Sequence, residues 1–353
     1  MEENTRIENE KYFAAANTYK GFKSYFSEIF YPEKFDRIYV IKGGPGTGKS
    51  SLMKKAATHF CKKECKVEEI YCSSDPNSLD GIICERGEKR IALIDGTSPH
   101  ETDAKIPGAI DEIINLGNHW ERRWLSAKKE DILALNAEKS TAYKTAYSYL
   151  KIAGECANFI LQTIKEKFDF SKAHRVISKF CPKLSVNNSE CVQIRLLSSF
   201  GKYGEFKLGT LKKKADNFVS VSGDEFIALI FIEELLKHID VLGISRTEFP
   251  LALDPSYHDA VYIPTAKVAF ALDSTPDIVA DEFLKSDLGY DNERIKNAKS
   301  IREIAMVEAK RWFAIASDLH FRLEDIYSHA MSFEKNDILV TEKITEIENI
   351  LEV

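Results

Sequence analysis

The sequence predicts an α/β fold made of two related units, each a mainly parallel sheet followed by long helices. Three observations predict it. A glycine-rich loop lies between an apolar run and a helix-forming run, a set of landmarks recurs about 180 residues later, and two long proline-free stretches carry apolar residues at helical spacing. The chain has 353 residues, enough for one large or two ordinary domains with real cores.

Arg37-Ile38-Tyr39-Val40-Ile41 reads as a buried strand and Leu52-Met53-Lys54-Lys55-Ala56-Ala57 as the start of a helix. Between them stands Gly43-Gly44-Pro45-Gly46-Thr47-Gly48-Lys49-Ser50, a complete P-loop motif. In that order, successive backbone N–H groups and the positive helix end converge on a phosphate chain. Side chains at the glycines would block that approach. Lys49 is expected to reach the β- and γ-phosphates of ATP, and the Ser50 hydroxyl to ligate Mg2+ (magnesium). The expected nucleotide-binding residues are Gly43, Gly44, Pro45, Gly46, Thr47, Gly48, Lys49, Ser50 and Ser51.

Ile91-Ala92-Leu93-Ile94-Asp95 has the form of a Walker B strand, four apolar residues ending in a carboxylate that binds Mg2+ through water. Lys49 and Asp95 are thus the expected catalytic pair, with Ser50 and Asp95 as the metal residues. A turn-capping role for Asp95 is also open, because Asp273 repeats it. Gly96 stands where many ATPases place a water-activating glutamate, so a base or acceptor-binding group must come from Asp75, Asp80, His100 or Glu101. Asp75 precedes Pro76 and could equally shape a turn.

The repeat organises the rest. Tyr12-Phe13-Ala14-Ala15 is answered by Leu196-Leu197-Ser198-Ser199, Val40-Ile41-Lys42-Gly43 by Ser220-Val221-Ser222-Gly223, and Asp75-Pro76 by Asp254-Pro255. Ile94-Asp95-Gly96-Thr97-Ser98-Pro99 is answered by Leu272-Asp273-Ser274-Thr275-Pro276. This order of landmarks predicts two duplicated P-loop-NTPase-like units, residues 1–185 and 186–353, joined in the linker-like stretch 182–190. The second copy is degenerate: Asp224 and Glu225 follow Gly223, with no glycine loop and no lysine. Each acid would oppose a phosphate charge by roughly 1–4 kcal/mol at ~4 Å. One nucleotide per chain is expected.

Strands are expected at 11–16, 37–42, 67–73 and 90–95, and helices at 19–30 and 48–63. The second copy should have strands at 192–198, 217–222, 241–248 and 267–272. Helical extensions are expected at about 120–180 and 297–353. A single helix over 128–167 would be ~60 Å long. Such helices could form an arm moved by the nucleotide unit, or pack between the halves.

The residues at Tyr12–Ala15, the P-loop, Cys72-Ser73-Ser74-Asp75-Pro76-Asn77-Ser78-Leu79-Asp80-Gly81 and Asp95-Gly96-Thr97-Ser98-Pro99-His100 resemble those of a poorly characterised group of bacterial tandem P-loop ATPases, found mainly in spore-forming Gram-positive lineages. The resemblance covers essentially the whole chain and implies ATP binding and hydrolysis without naming a substrate. In that group the second half generally carries a P-loop too, and this chain departs there.

A net charge of −6 supplies no bulk attraction to nucleic acid or anionic membrane. The longest apolar run, 226–232, is too short to span a bilayer, and a cytoplasmic protein is expected. Seven cysteines without a C-x2-C pair support neither a disulfide framework nor a zinc site. Three functions remain: an Mg-dependent ATPase (an NTP hydrolase) acting as a switch or small machine, a small-molecule or nucleotide kinase, and a non-hydrolysing nucleotide sensor. ATP is the default because no guanine-specific Asn/Thr-Lys-x-Asp motif occurs. The partner, protein or small molecule, and the oligomeric state are open.

Overall fold

The computed structural model describes residues 9–180, 191–285 and 292–353. The expected boundary and linker fall outside the described residues. The chain opens on β1 (Glu10–Phe13), a hairpin of β2 (Ala15–Thr18) and β3 (Gly21–Ser24), and the single turn α1 (Phe26–Ile29). β4 (Arg37–Lys42) leads through the glycine loop into α2 (Lys49–Lys62). Then come β5 (Lys66–Tyr71), β6 (Leu79–Arg86), β7 (Lys89–Asp95), β8 (Asp111–Asn115), α3 (Arg122–Ala127), α4 (Lys129–Lys165) and α5 (Phe170–Phe180). The second half runs β9 (Val192–Ile194), the hairpin β10 (Ser198–Gly201) and β11 (Gly204–Lys207), α6 (Thr210–Lys214), β12 (Asn217–Ser222) and α7 (Glu225–Val241). It continues with β13 (Arg246–Pro250), β14 (His258–Ile263), β15 (Val268–Leu272), β16 (Ile278–Val279), α8 (Asn292–His329) and α9 (Phe333–Leu351).

Two six-stranded mixed sheets result, in the orders β1-β5-β6-β7-β4-β8 and β9-β13-β14-β15-β12-β16. In each, the third strand in that order, β6 or β14, runs antiparallel to both neighbours, and the other pairings are parallel. The second sheet therefore repeats the first in order and in sense. β4 lies inside its sheet, between β7 and β8, and its apolar run Ile38 to Ile41 is buried on both faces.

Several expectations are corrected. The helix expected over 19–30 is β3 plus the single turn α1, because Gly21 at φ 108° closes the β2–β3 hairpin. The strand expected over 11–16 is split into β1 and β2 at Ala14. β6 and β14 were not expected, and they make the sheets mixed. The strand expected over 241–248 starts only at Arg246, since α7 runs to Val241 and Gly243, at φ 62°, follows its end. The helical extension expected over about 297–353 consists of α8 and α9, separated at Ala330, Met331 and Ser332.

The long helices pack between the halves. α4, with 37 residues and about 56 Å long, lies antiparallel to the 38-residue α8. Leu135 and Leu323 share one cluster, Tyr143 and Tyr147 meet Phe313, and Arg294 lies over the Phe159 ring towards the other end. Both helices present small residues at helical spacing: Ala142, Ala146, Ala153 and Ala157 on α4, and Ala298, Ala305, Ala309 and Ala316 on α8, all buried. The first turns of α7, Phe226 to Ile232, are apolar all round and buried, as a segment enclosed by a sheet and other helices must be.

The halves also interlock near their sheets. Phe13 and Leu196, each two residues before its hairpin, exchange both backbone hydrogen bonds at 2.9 and 3.1 Å. Tyr19, at the tip of the first hairpin, donates its N–H to the Leu253 carbonyl at 2.8 Å. Arg195 forms a buried ion pair with Glu68 across the halves at 2.8 Å. Among the described residues no helix is long and apolar enough to cross a membrane.

Candidate functional site

The glycine loop leaves the buried end of β4 and enters α2. Gly46 and Gly48 take φ of 68° and 92°, where side chains are disfavoured. The Thr47 hydroxyl donates to the Gly44 carbonyl at 2.8 Å and holds the turn. Lys49 Nζ donates to the carbonyls of Gly43 and Gly44 at 3.0 and 2.8 Å, and stands 3.6 Å from Asp95 Oδ2. Among the described residues, the backbone N–H groups of Gly44, Gly46, Thr47, Gly48, Lys49 and Ser50 donate to no protein acceptor. They gather at the N-terminus of a 14-residue helix, whose dipole favours an anion. Ser50 Oγ accepts the Leu79 N–H at 2.9 Å and keeps a second lone pair. Ser51 is exposed on α2.

The C-terminal helices roof this loop. A Cβ on Gly46 would meet the Glu324 carbonyl oxygen of α8 at 2.6 Å, and one on Gly44 would meet the Tyr327 ring at 3.0 Å. Asn336 of α9 donates to the Thr47 carbonyl at 2.8 Å and pairs with His119 at 2.6 Å. Trp120 packs against Tyr327, and its indole nitrogen is buried without a hydrogen-bond partner among the described residues.

Asp95 ends β7 directly beside Ile41 of β4. Both roles considered for it have a counterpart in the geometry. Its Oδ1 accepts from the Thr97 N–H and hydroxyl at 2.9 and 2.5 Å, while Oδ2 faces Lys49. Asp80, on β6, and His100, in the loop after β7, converge on the same place. One ligand atom from each of Asp80, Asp95 and His100 lies within 4.8 Å of the other two. Burial pushes the Asp80 carboxyl up to about 6; His100 opposes that shift and Asp95 adds to it. The His100 ring stacks on Phe26 at 4.4 Å and points Nε2 at Asp80 Oδ2, 3.7 Å away.

Asp75 does not join them. Its Oδ1 accepts the Asn77 N–H at 3.2 Å, and Lys202 from the second hairpin stands 3.6 Å away. Asp254 accepts the Ser256 N–H at 3.3 Å in the matching turn, so turn shaping is common to both positions. Glu101 is exposed.

The corresponding place in the second half is filled by its own side chains. Only Gly223 and Asp224 join β12 to α7, and Asp224 caps the helix by accepting the N–H groups of Phe226 and Ile227 at 2.9 and 3.4 Å. Lys299 pairs with Asp224, and Arg302 with Glu225 at 2.8 Å. Asp273 is held by Lys212 at 2.5 Å. Asp259, the counterpart of Asp80, is buried near Lys207 at 3.8 Å, and burial pushes its carboxyl up to about 6.

Local motifs do not point to Asn336, His119, Trp120, Tyr327 or Lys202. Only superposing the two hairpins, Thr18–Gly21 on Gly201–Gly204, puts Lys202 at the position of Tyr19, one residue off the register read from the sequence. The chain matches no known family model, no curated protein and no solved structure.

Proposed function

We propose that the first half is a P-loop unit that binds one ATP with Mg2+, and that the chain is an ATPase whose nucleotide state positions α8 and α9. The observation that carries this reading is the set of unpaired N–H groups at the start of α2, beside Lys49 and Asp95. These groups match what a triphosphate requires: converging donors, one flexible cation and close backbone approach. Ser50, with a free lone pair, and Asp95 are the residues that would hold Mg2+, which supplies charge neutralisation of the phosphates. The orphaned Trp120 nitrogen adds an unpaired donor beside the loop.

The matching strand orders support a tandem duplication, and the self-neutralised start of α7 supports one nucleotide per chain. The roof of Glu324, Tyr327 and Asn336 supports a switch, because anything entering the loop must negotiate with helices from the other half. A kinase remains the second reading, favoured by buried Asp80 near Lys49 as an acceptor-orienting carboxylate.

Titration calorimetry with Mg2+ and a non-hydrolysable ATP analogue tests the reading. One site per chain, lost in Lys49→Ala, is expected. Two sites, or tight binding that survives Lys49→Ala, overturns it. Steady phosphate release without an acceptor separates ATPase from kinase.

A further inference from the structure

We propose that Asp80, Asp95 and His100 form a three-ligand site for a divalent transition metal of the Mn2+, Fe2+ or Zn2+ class, able to bind without nucleotide. The inference stands on these three side chains and does not depend on the ATP reading.

The groups reach the site from separate parts of the chain: Asp80 from β6, Asp95 from the end of β7 and His100 from the loop beyond it. They approach one another without bonding one another. His100 Nε2 stands 3.7 Å from Asp80 Oδ2, too far for a hydrogen bond. Ligands around an octahedral ion at about 2.1–2.2 Å sit roughly 3 Å apart when adjacent and about 4.3 Å apart when opposed. Three atoms within 4.8 Å of one another need only a small contraction to reach those separations.

The second observation is the imidazole itself. His100 is 7% exposed, and its Nδ1 is buried with no hydrogen-bond partner among the described residues. The nitrogen aimed at the carboxylates is Nε2, 3.7 Å from Asp80 Oδ2 and hydrogen-bonded to neither carboxylate, and a buried imidazole so placed is explained by a ligand between Nε2 and the two acids. Phe26 stacks flat on the ring, with 10° between planes, and fixes its direction. Thr97 occupies Asp95 Oδ1, so Oδ2, 3.6 Å from Lys49, is the oxygen left for a metal.

Charge supports the same conclusion. Two buried carboxylates face one lysine ammonium, 3.6 Å from Asp95, and that ammonium is already shared with two carbonyls. A dication supplies the missing positive charge. Two carboxylate oxygens and one imidazole nitrogen suit transition metals, whereas Mg2+ prefers oxygen ligands and retained water. The second half lacks the histidine: Asp277 follows Pro276, and its carboxylate accepts the Ser220 N–H at 2.9 Å.

The test uses the full chain with Mn2+ alone. Calorimetry should give one Mn2+ per chain, and pulsed electron paramagnetic resonance should show nitrogen-14 modulation from a directly bound imidazole. His100→Gln should remove the modulation and weaken Mn2+ at least tenfold. Lys49→Ala removes a cation 3.6 Å from Asp95, so it should abolish nucleotide binding without weakening Mn2+ binding, which separates this proposal from the nucleotide reading. No Mn2+ binding, or bound Mn2+ without nitrogen modulation in the unaltered protein, overturns the site. The spectroscopic outcome holds whether or not a variant folds.

Discussion

Replacing Gly46 by alanine probes the contact between the glycine loop and α8. Two costs add. At φ 68° an alanine Cβ crowds its own backbone, which costs about 1–2 kcal/mol. The same Cβ would lie 2.6 Å from the Glu324 carbonyl oxygen, a backbone atom that moves only if α8 moves. Overpacking of that kind costs about 1–3 kcal/mol. Gly87 provides the control. It has φ 58° in the turn between β6 and β7, and a Cβ there meets nothing within 4 Å, so Gly87→Ala carries only the backbone cost. Urea unfolding of the two variants should show Gly46→Ala the less stable by about 1–3 kcal/mol. Equal losses would refute the placement of α8 on the loop and, with it, the route by which nucleotide and helices communicate.

Arg195 and Glu68 should behave as a buried pair that joins the halves. Burial opposes the Glu68 charge, but Arg195 holds its carboxyl below the usual range. Arg195→Met should cost about 3–5 kcal/mol in chemical denaturation, and adding Glu68→Leu should recover most of it; a loss below 1 kcal/mol would remove the pair from the interface. Asp259 predicts a pH effect. Its folded value of about 6 lies above the ordinary 3.8, so the linked stability is full below 3.8 and is lost as pH rises through 6. Asp259→Asn abolishes that titration, so its stability relative to the unaltered protein should rise by about 2 kcal/mol between pH 4 and pH 7, at ~1.4 kcal/mol per unit. A pH-independent difference would contradict the burial of this carboxyl.

The strands and helix around the glycine loop were legible because their signals are local. Ile38 to Ile41 form an unbroken apolar run, the glycines permit the turn, and the helix-forming residues follow at once. The long helices were legible from alanines and leucines at helical spacing. β6 was not, because Leu79-Asp80-Gly81 resembles the loop before it; only the neighbours β5 and β7 supply the pairing and the cover that make it a strand.

The sequence by itself determined the α/β class, the position of the loop and the order of landmarks repeated in the second half. Periodicity reports which side of an element is buried, and not what buries it. Tertiary structure alone decided that α8 and α9 cover the glycine loop, that the two hairpins reach across the halves, and that His100 meets Asp80 and Asp95. The first two sets of contacts join residues far apart in the chain, and the third depends on the pairing of β6 with β7 and the path of the loop that follows. The geometry of the roof and the hairpins is set by how the two sheets and the α4–α8 pair dock, which no short segment encodes.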